Sequence, residues 1–273
     1  MESGRAFDQI AGEYDDTFTQ TLIGRAQREQ VYGFINQILE KPDIQQILEV
    51  NCGTGVDACW FAQQGKTVLA SDISPQMIST AEQNKQQLDG DLQSKLEFKV
   101  RSADQIEGLT PPGSVDLVFS NFGGLNCLSP NQFRFFFPQA NKLLRPGGYL
   151  ALVIMGRFCW WESLYFLTKL RLKKVFRRLN RKAIPAQLDE TTFVDTWYYS
   201  PDDCLEIADG FQLTALKPIG FWLPPSYLEP FFQQRPTSIR VLSRLEKQFS
   251  HWRWPSYAAD HYYLVLQKTS DSN

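Results

Sequence analysis

Ile47-Leu48-Glu49-Val50-Asn51-Cys52-Gly53-Thr54-Gly55-Val56-Asp57-Ala58 decides how the rest of the chain is read. Ile47, Leu48 and Val50 form a short apolar run that reads as a buried strand and stops at Gly53 and Gly55. An amphipathic segment, roughly Val56 to Gln64, follows at once. Strand, glycine turn and helix in that order bring backbone N–H groups and a helix N-terminus up to a ligand. A Cβ at either glycine would block the turn or the ligand. A flat, polar, nucleotide-like molecule is therefore expected on Gly53 and Gly55.

The next run, Lys66-Thr67-Val68-Leu69-Ala70-Ser71, is again apolar and β-branched and ends at Asp72. In a doubly wound sheet, an acidic residue at the end of the second strand lies beside the first glycine loop, where it accepts hydrogen bonds from ribose hydroxyls. Gly53-x-Gly55-x-x-Ala58 followed by Asp72 also fits the dinucleotide fingerprint, which brings in a nicotinamide cofactor as an alternative. Glu49 inside the motif and the order of elements further along fit a different nucleoside-binding sheet better.

Five segments in order carry a family resemblance. Glu49-Val50-Asn51-Cys52-Gly53-Thr54-Gly55 resembles the first motif of class I S-adenosylmethionine-dependent methyltransferases, and Ser71-Asp72-Ile73-Ser74-Pro75-Gln76-Met77-Ile78 resembles the second. Ser102-Ala103-Asp104, Val115-Asp116-Leu117-Val118-Phe119-Ser120 and Leu143-Leu144-Arg145-Pro146-Gly147-Gly148-Tyr149-Leu150 resemble the third, the fourth and the turn into the fifth strand. The resemblance covers about residues 45–155. Asn51 stands where the family commonly has glycine, and asparagine tolerates unusual backbone angles better than most residues.

The resemblance implies an α/β, Rossmann-like fold: a seven-stranded, mostly parallel sheet with an antiparallel last strand and an inserted lid. It implies S-adenosylmethionine as methyl donor, S-adenosylhomocysteine as product, and no metal. By the same motifs, Glu49, Asn51, Cys52, Gly53, Gly55, Asp72, Ile73, Met77, Ala103, Asp104, Ser120 and Asn121 are the expected cofactor residues, with Asp104 beside the adenine. Base amino-methylases of the family carry Asn/Asp-Pro-Pro-aromatic after the fourth strand. Asn121-Phe122-Gly123-Gly124 lacks those prolines, which disfavours a nucleic-acid acceptor. Phe7-Asp8-Gln9-Ile10-Ala11-Gly12-Glu13-Tyr14-Asp15 is similar to the opening of small-molecule methyltransferases, including quinone C-methyltransferases, where it folds over the cofactor. Tyr14 thereby becomes a candidate lid and catalytic residue. Phe7, Ile10, Tyr14 and Phe18 are equally a helical stripe packed on the core.

Composition sets the compartment and excludes some partners. The 273 residues are 43% hydrophobic and 21% charged, ordinary for a soluble protein, and the net charge of −2 gives no global pull toward nucleic acid. The start, Met-Glu-Ser-Gly-Arg, lacks a signal-peptide pattern, and no run is long and apolar enough to span a bilayer. Cys52, Cys59, Cys127, Cys159 and Cys204 form no C-x-x-C pair, so reduced thiols in a cytoplasmic protein are expected.

The domain reading is an N-terminal helical lid over 1–40, a cofactor-binding core over 41–156, a cap insertion over 157–199, and the end of the core sheet over 200–273 with a second insertion at about 219–258. Both insertions leave the carboxyl end of a strand and are rich in aromatics, so they should rise over the active site. Trp160, Trp161, Tyr165, Tyr198 and Trp222 join Tyr14 as lid candidates for a planar or lipidic substrate. Methyl transfer to an acidic group needs a base. With only His251 and His261 in the chain, His251 is the tentative choice. The basic run from Lys169 to Lys182 has three readings: a solvated helix face, a site for an anionic acceptor, or a contact with acidic lipid headgroups. The expected activity is methyl transfer to a small molecule by direct in-line displacement. A nicotinamide-dependent oxidoreductase and a non-catalytic S-adenosylmethionine-binding protein are the alternatives, and the sequence leaves the oligomeric state open.

Overall fold

The structure is a computed structural model that describes residues 2–189 and 191–269. Ahead of the sheet lie α1 (Glu2–Ile10) and α2 (Leu22–Leu39). Strands β1 (Gln46–Val50), β2 (Thr67–Asp72), β3 (Leu96–Val100), β4 (Val115–Ser120) and β5 (Leu144–Met155) then alternate with α3 (Val56–Gln63), α4 (Pro75–Gln86), α5 (Gly90–Gln93) and α6 (Pro130–Leu143). After β5 come α7 (Trp160–Thr168), β6 (Ile184–Gln187), β7 (Phe193–Thr196), α8 (Pro201–Glu206), β8 (Phe211–Ile219), α9 (Glu229–Phe232), α10 (Pro236–Phe249) and β9 (His261–Lys268).

Local chemistry sets the helix starts. Ser74 caps α4 by accepting from the Met77 N–H at 3.0 Å, with Pro75 pre-set at the first helical position. Ser129 and Gln132 form a reciprocal capping box at the start of α6.

The seven-stranded sheet runs β3-β2-β1-β4-β5-β9-β8. β1 to β5 are parallel, and β9 lies antiparallel between β5 and β8. This antiparallel insertion separates the fold from the dinucleotide-binding sheet, whose order is 3-2-1-4-5-6. The nicotinamide reading therefore lacks its architecture. Strand order reverses between β1 and β4, so their following loops diverge and leave a crevice at the carboxyl ends.

Apolar side chains cover both faces of the sheet. Leu48, Val118, Phe133, Phe136 and Phe137 fill the α6 side, and Ile35, Ile47, Phe61, Val68 and Phe119 fill the side of α2 and α3. Each such buried side chain contributes roughly 1.5–3 kcal/mol relative to exposure. The glycine loop therefore stands on a rigid base.

The two insertions share a small core of their own. Leu223, Phe232 and Ile239 pack with Ile23 and Ala26 of α2, and Trp161 lies against them. Glu229 fixes this arrangement by accepting from the Leu22 and Ile23 N–H groups at 2.8 and 3.0 Å, which satisfies free donors at the start of α2. The basic run is not a solvated helix face. α7 ends at Thr168, short 3₁₀ turns follow, and Arg177 and Arg178 turn inward to the buried carboxylate of Glu162. A buried carboxylate needs such partners, and that need outweighs helix continuation here. Residues 193–196 pair antiparallel with 184–187 as a hairpin.

Candidate active site

A cavity of about 1280 Å³ opens at the carboxyl ends of β1, β2 and β4, between the core, α1 and the cap hairpin. That exceeds the roughly 300–1,000 Å³ of a pocket for one drug-sized ligand, leaving room for a nucleoside cofactor and an acceptor together. Asn51, Gly53, Asp72, Ile73, Met77 and Asp104 line one end, and Phe122, Met155, Phe193, Val194, Trp197 and Tyr227 line the other.

At the first end the two glycines of the opening motif have different reasons to be glycine. Gly53 has φ +54 and open space where a Cβ would point, the nearest atom being a Tyr14 ring carbon at 3.9 Å. Gly55 has φ +76, but its Cβ would meet Phe98 Cζ at 2.8 Å and Ala81 Cβ at 2.9 Å. Gly53 keeps room for a ligand, and Gly55 serves packing. Asn51 holds φ +56, the left-handed backbone that the glycine of related motifs supplies freely. Its side chain packs on Gly124, where any Cβ would fall 2.3 Å from Asn51 Cβ.

Asp72 accepts from the Gly53 and Ser74 N–H groups. Asp104 is held by the Ser102 hydroxyl and by the Gln132 amide at 2.9 Å. Glu49, Gly55, Ala103 and Ser120 do not line the cavity, and Cys52 lines only a small adjoining recess. Glu49 is buried with Oε2 unpartnered among the described residues, and its carboxyl is pushed well above the ordinary value, first by burial and then by the neighbouring Asp57 charge. Ser120 donates to Asn51 Oδ1 at 3.4 Å.

The charge cluster between the two ends escaped the motif reading. Asp57 accepts from Arg28, from Tyr32 at 2.7 Å and from Asn121 at 2.9 Å. Arg28 lies on the cavity wall with its guanidinium 5.0 Å from the Phe122 ring centre, and its buried Nε has no partner among the described residues. The signal for it lay in α2, where Gln27, Arg28 and Gln30 interrupt the apolar pattern of a helix facing the core. Phe122 itself is non-glycine at φ +40, a strained backbone of the kind concentrated at functional sites.

The N-terminal segment closes over this region through specific bonds. Asp15 accepts from the Thr54 hydroxyl at 2.7 Å, Asp8 accepts from the Ser74 hydroxyl at 2.6 Å, and Thr192 donates to Gln9 at 2.7 Å. Helix α1 thereby ties the core to the cap hairpin. Tyr14 is on the cavity wall, and burial pushes its hydroxyl up to about 12. It stays protonated near neutral pH and suits hydrogen-bond donation rather than proton abstraction.

The remaining expected lid residues lie elsewhere. Trp160, Trp161, Tyr165, Tyr198 and Trp222 do not line the cavity. Trp160 packs on Trp161, Phe221 and Trp222, Tyr165 packs on Tyr227, and Tyr198 lies under the Arg178 guanidinium. These rings form the cap's interior. Asn126 stitches hairpin to sheet, accepting from Met155 N–H and donating to the Trp197 carbonyl.

His251 is exposed and away from the cavity, whereas His261 lines the wall. His261 Nδ1 lies 3.2 Å from Asp260 Oδ2, and the His261 ring meets Phe122 edge-on. Burial opposes ionisation of Asp260, but His261 and Arg178 hold its carboxyl well below the usual range. Arg178 bonds Asp260 Oδ1 at 2.7 Å and reaches Glu162 on its other side.

Residues 47–148 match the family model of a methyltransferase domain. An uncharacterized methyltransferase of Synechocystis sp. is 29% identical over 122 residues, 43% of this chain and 50% of the relative. The chain thus spans about half the length of the curated relative it matches. A solved S-adenosylmethionine-dependent methyltransferase from Methanosarcina mazei superposes with a TM-score of 0.61 at 20% identity, over 88% of this chain and 99% of that one. The CcbJ methyltransferase from Streptomyces caelestis superposes with a TM-score of 0.65 at 14% identity, over 99% and 100%. At such identities the superpositions speak for the fold, and they agree with the family match. Residues 47–148 thus resemble a methyltransferase domain, and the chain has the fold of class I S-adenosylmethionine-dependent methyltransferases.

Proposed function

We propose that this protein is an S-adenosylmethionine-dependent methyltransferase that moves a methyl group to a small, largely apolar acceptor by direct in-line displacement. The observation that carries the reading is one continuous cavity, with the glycine loop at one end and an aromatic chamber under the cap hairpin at the other.

The residues fit the cofactor. Asp72 presents a carboxylate to ribose hydroxyls, Asp104 presents one to the adenine edge, and Gly53 leaves the space a ligand needs. Arg28, on the cavity wall and with its Nε unpartnered among the described residues, is placed to hold a carboxylate. Burial favours the neutral form of the Glu49 carboxyl, and a cationic centre bound nearby would draw it toward the ionised form, which supplies negative potential. Bound there, the cofactor supplies an electrophilic methyl group on a sulfonium.

The chain's own contribution is to position the acceptor and exclude water. Phe122, Met155, Phe193 and Trp197 present flat and apolar surface, which favours a planar or lipid-like acceptor. His261 takes the acceptor's proton through the ring nitrogen away from Asp260, whose carboxylate lies 3.2 Å from Nδ1.

The test is transfer of labelled methyl groups from S-adenosylmethionine into a panel of phenolic, enolic and lipid-like acceptors, with oligonucleotides beside them. Transfer to the small acceptors is expected. Transfer to oligonucleotides alone, or tight cofactor binding without transfer to any acceptor, would overturn the reading.

A further inference from the structure

We propose that the outer face of the cap, residues 164–182, docks the protein on an anionic lipid bilayer. The inference goes beyond methyl transfer and does not depend on it.

The segment departs from the rest of the chain in charge. Lys169 to Lys182 holds eight Lys and Arg residues, and no Asp or Glu occurs anywhere from Ser163 to Leu188, in a protein whose net charge is −2. Two of the eight are committed inward. Arg177 and Arg178 pair with Glu162, and Arg178 also pairs with Asp260, which clamps the segment to the cap. The other six, Lys169, Arg171, Lys173, Lys174, Arg181 and Lys182, are exposed.

Large apolar side chains stand among these cations and face solvent. Leu170 is 84% exposed, Leu172 65%, Phe176 60% and Leu179 52%, with Leu164 and Leu167 adjoining. An apolar patch of this kind marks an interaction surface. Interleaving with cations selects the partner: apolar tips enter the acyl boundary while ammonium and guanidinium groups meet phosphates. A second copy of the chain would bring two like-charged faces together. A single-stranded nucleic acid would use aromatic stacking platforms, and this face offers five leucines and one phenylalanine. The hairpin that walls the cavity follows the segment directly at Ile184, so docking would hold the cap beside a store of lipid-like acceptors.

The full chain is tested by co-sedimentation with phosphatidylcholine vesicles and with vesicles that also contain phosphatidylglycerol. Two exposed-residue variants accompany it, Lys173→Gln with Lys174→Gln, and Leu170→Ser with Leu172→Ser and Phe176→Ser. Binding is expected on the anionic vesicles and to weaken with added salt. Loss of two cations should reduce it by about tenfold or more, and loss of the apolar tips should reduce it as well. Thermal melting of both variants should match the parent, since none of the altered side chains is buried. The proposal is overturned if the protein stays in solution with both vesicle types, or if both variants bind like the parent. Displacement from vesicles by an oligonucleotide, with the leucine variant unaffected, would assign the face to nucleic acid instead and equally overturn it.

Discussion

The Gly53 backbone N–H donates to Asp72 Oδ2 at 3.0 Å, joining the first glycine loop to the end of the neighbouring strand. Asp72 Oδ1 accepts from Ser74 N–H at 2.9 Å, so one carboxylate is fixed by both turns that wall the nucleoside end of the cavity. Burial raises its carboxyl above the ordinary value, while the backbone donors of Ser74 and Gly53 pull the other way. The carboxylate is therefore fixed in place by the backbone before any ligand arrives.

The two glycines of the loop should separate folding from binding. Gly55→Ala places a Cβ under 3 Å from Phe98 and Ala81, and overpacking of that kind costs about 1–3 kcal/mol. Gly53→Ala meets open space and costs only the backbone term of about 1–2 kcal/mol. Chemical denaturation should show Gly55→Ala as the less stable variant. Titration calorimetry should show Gly53→Ala as the larger loss of S-adenosylmethionine affinity per unit of stability lost. The reverse order would contradict the roles assigned.

Glu49 gives the cofactor site a pH dependence. Its carboxyl is raised well above 4.5 in the folded protein by burial and by the Asp57 charge. A raised carboxyl favours the fold when protonated, so this contribution is full below the unfolded value and is lost as pH rises through the folded one. A cationic cofactor favours the ionised form, so its affinity should increase with pH across the same window. Glu49→Gln should weaken binding, flatten that dependence and raise the melting temperature of the ligand-free protein near neutral pH. Affinity that falls with rising pH in the parent would refute the sign.

His261 should matter to turnover and not to cofactor binding. General-base action typically contributes about 10²–10⁴ in rate. His261→Asn is expected to lower kcat on a protonated acceptor by that order with S-adenosylmethionine affinity unchanged. His251→Asn, at an exposed position, should behave like the parent. Equal effects of the two substitutions in steady-state kinetics would remove His261 from the mechanism.

The core was legible because its signals are local. An apolar strand, a glycine turn and a capped helix recur within a few residues, and the acidic end of β2 falls beside the loop by sheet geometry alone. Asn51 shows the limit of motif matching: it breaks the glycine pattern yet adopts the φ that glycine would supply. The acceptor end was not legible, because its wall is assembled from β4, β5, β9 and the hairpin across long sequence separations. Arg28 reaches Asp57 from a helix that precedes the sheet, and His261 opens β9, an interior strand that no local pattern ties to the glycine loop. Aromatic content says that the insertions bury surface, but spacing alone does not choose between a cap interior, where Trp160 and Trp222 pack, and a cavity wall, where Phe122 and Trp197 stand.

The most direct measurement is titration calorimetry of the full chain with S-adenosylmethionine, S-adenosylhomocysteine and NADH, repeated on Asp72→Ala. Removal of a carboxylate acceptor costs about 1.5–3 kcal/mol, so a loss of about ten- to a hundredfold is expected for the first two ligands, with NADH silent throughout. Binding of NADH alone, or S-adenosylmethionine binding that Asp72→Ala leaves intact, would contradict the site assigned to Gly53 and Asp72.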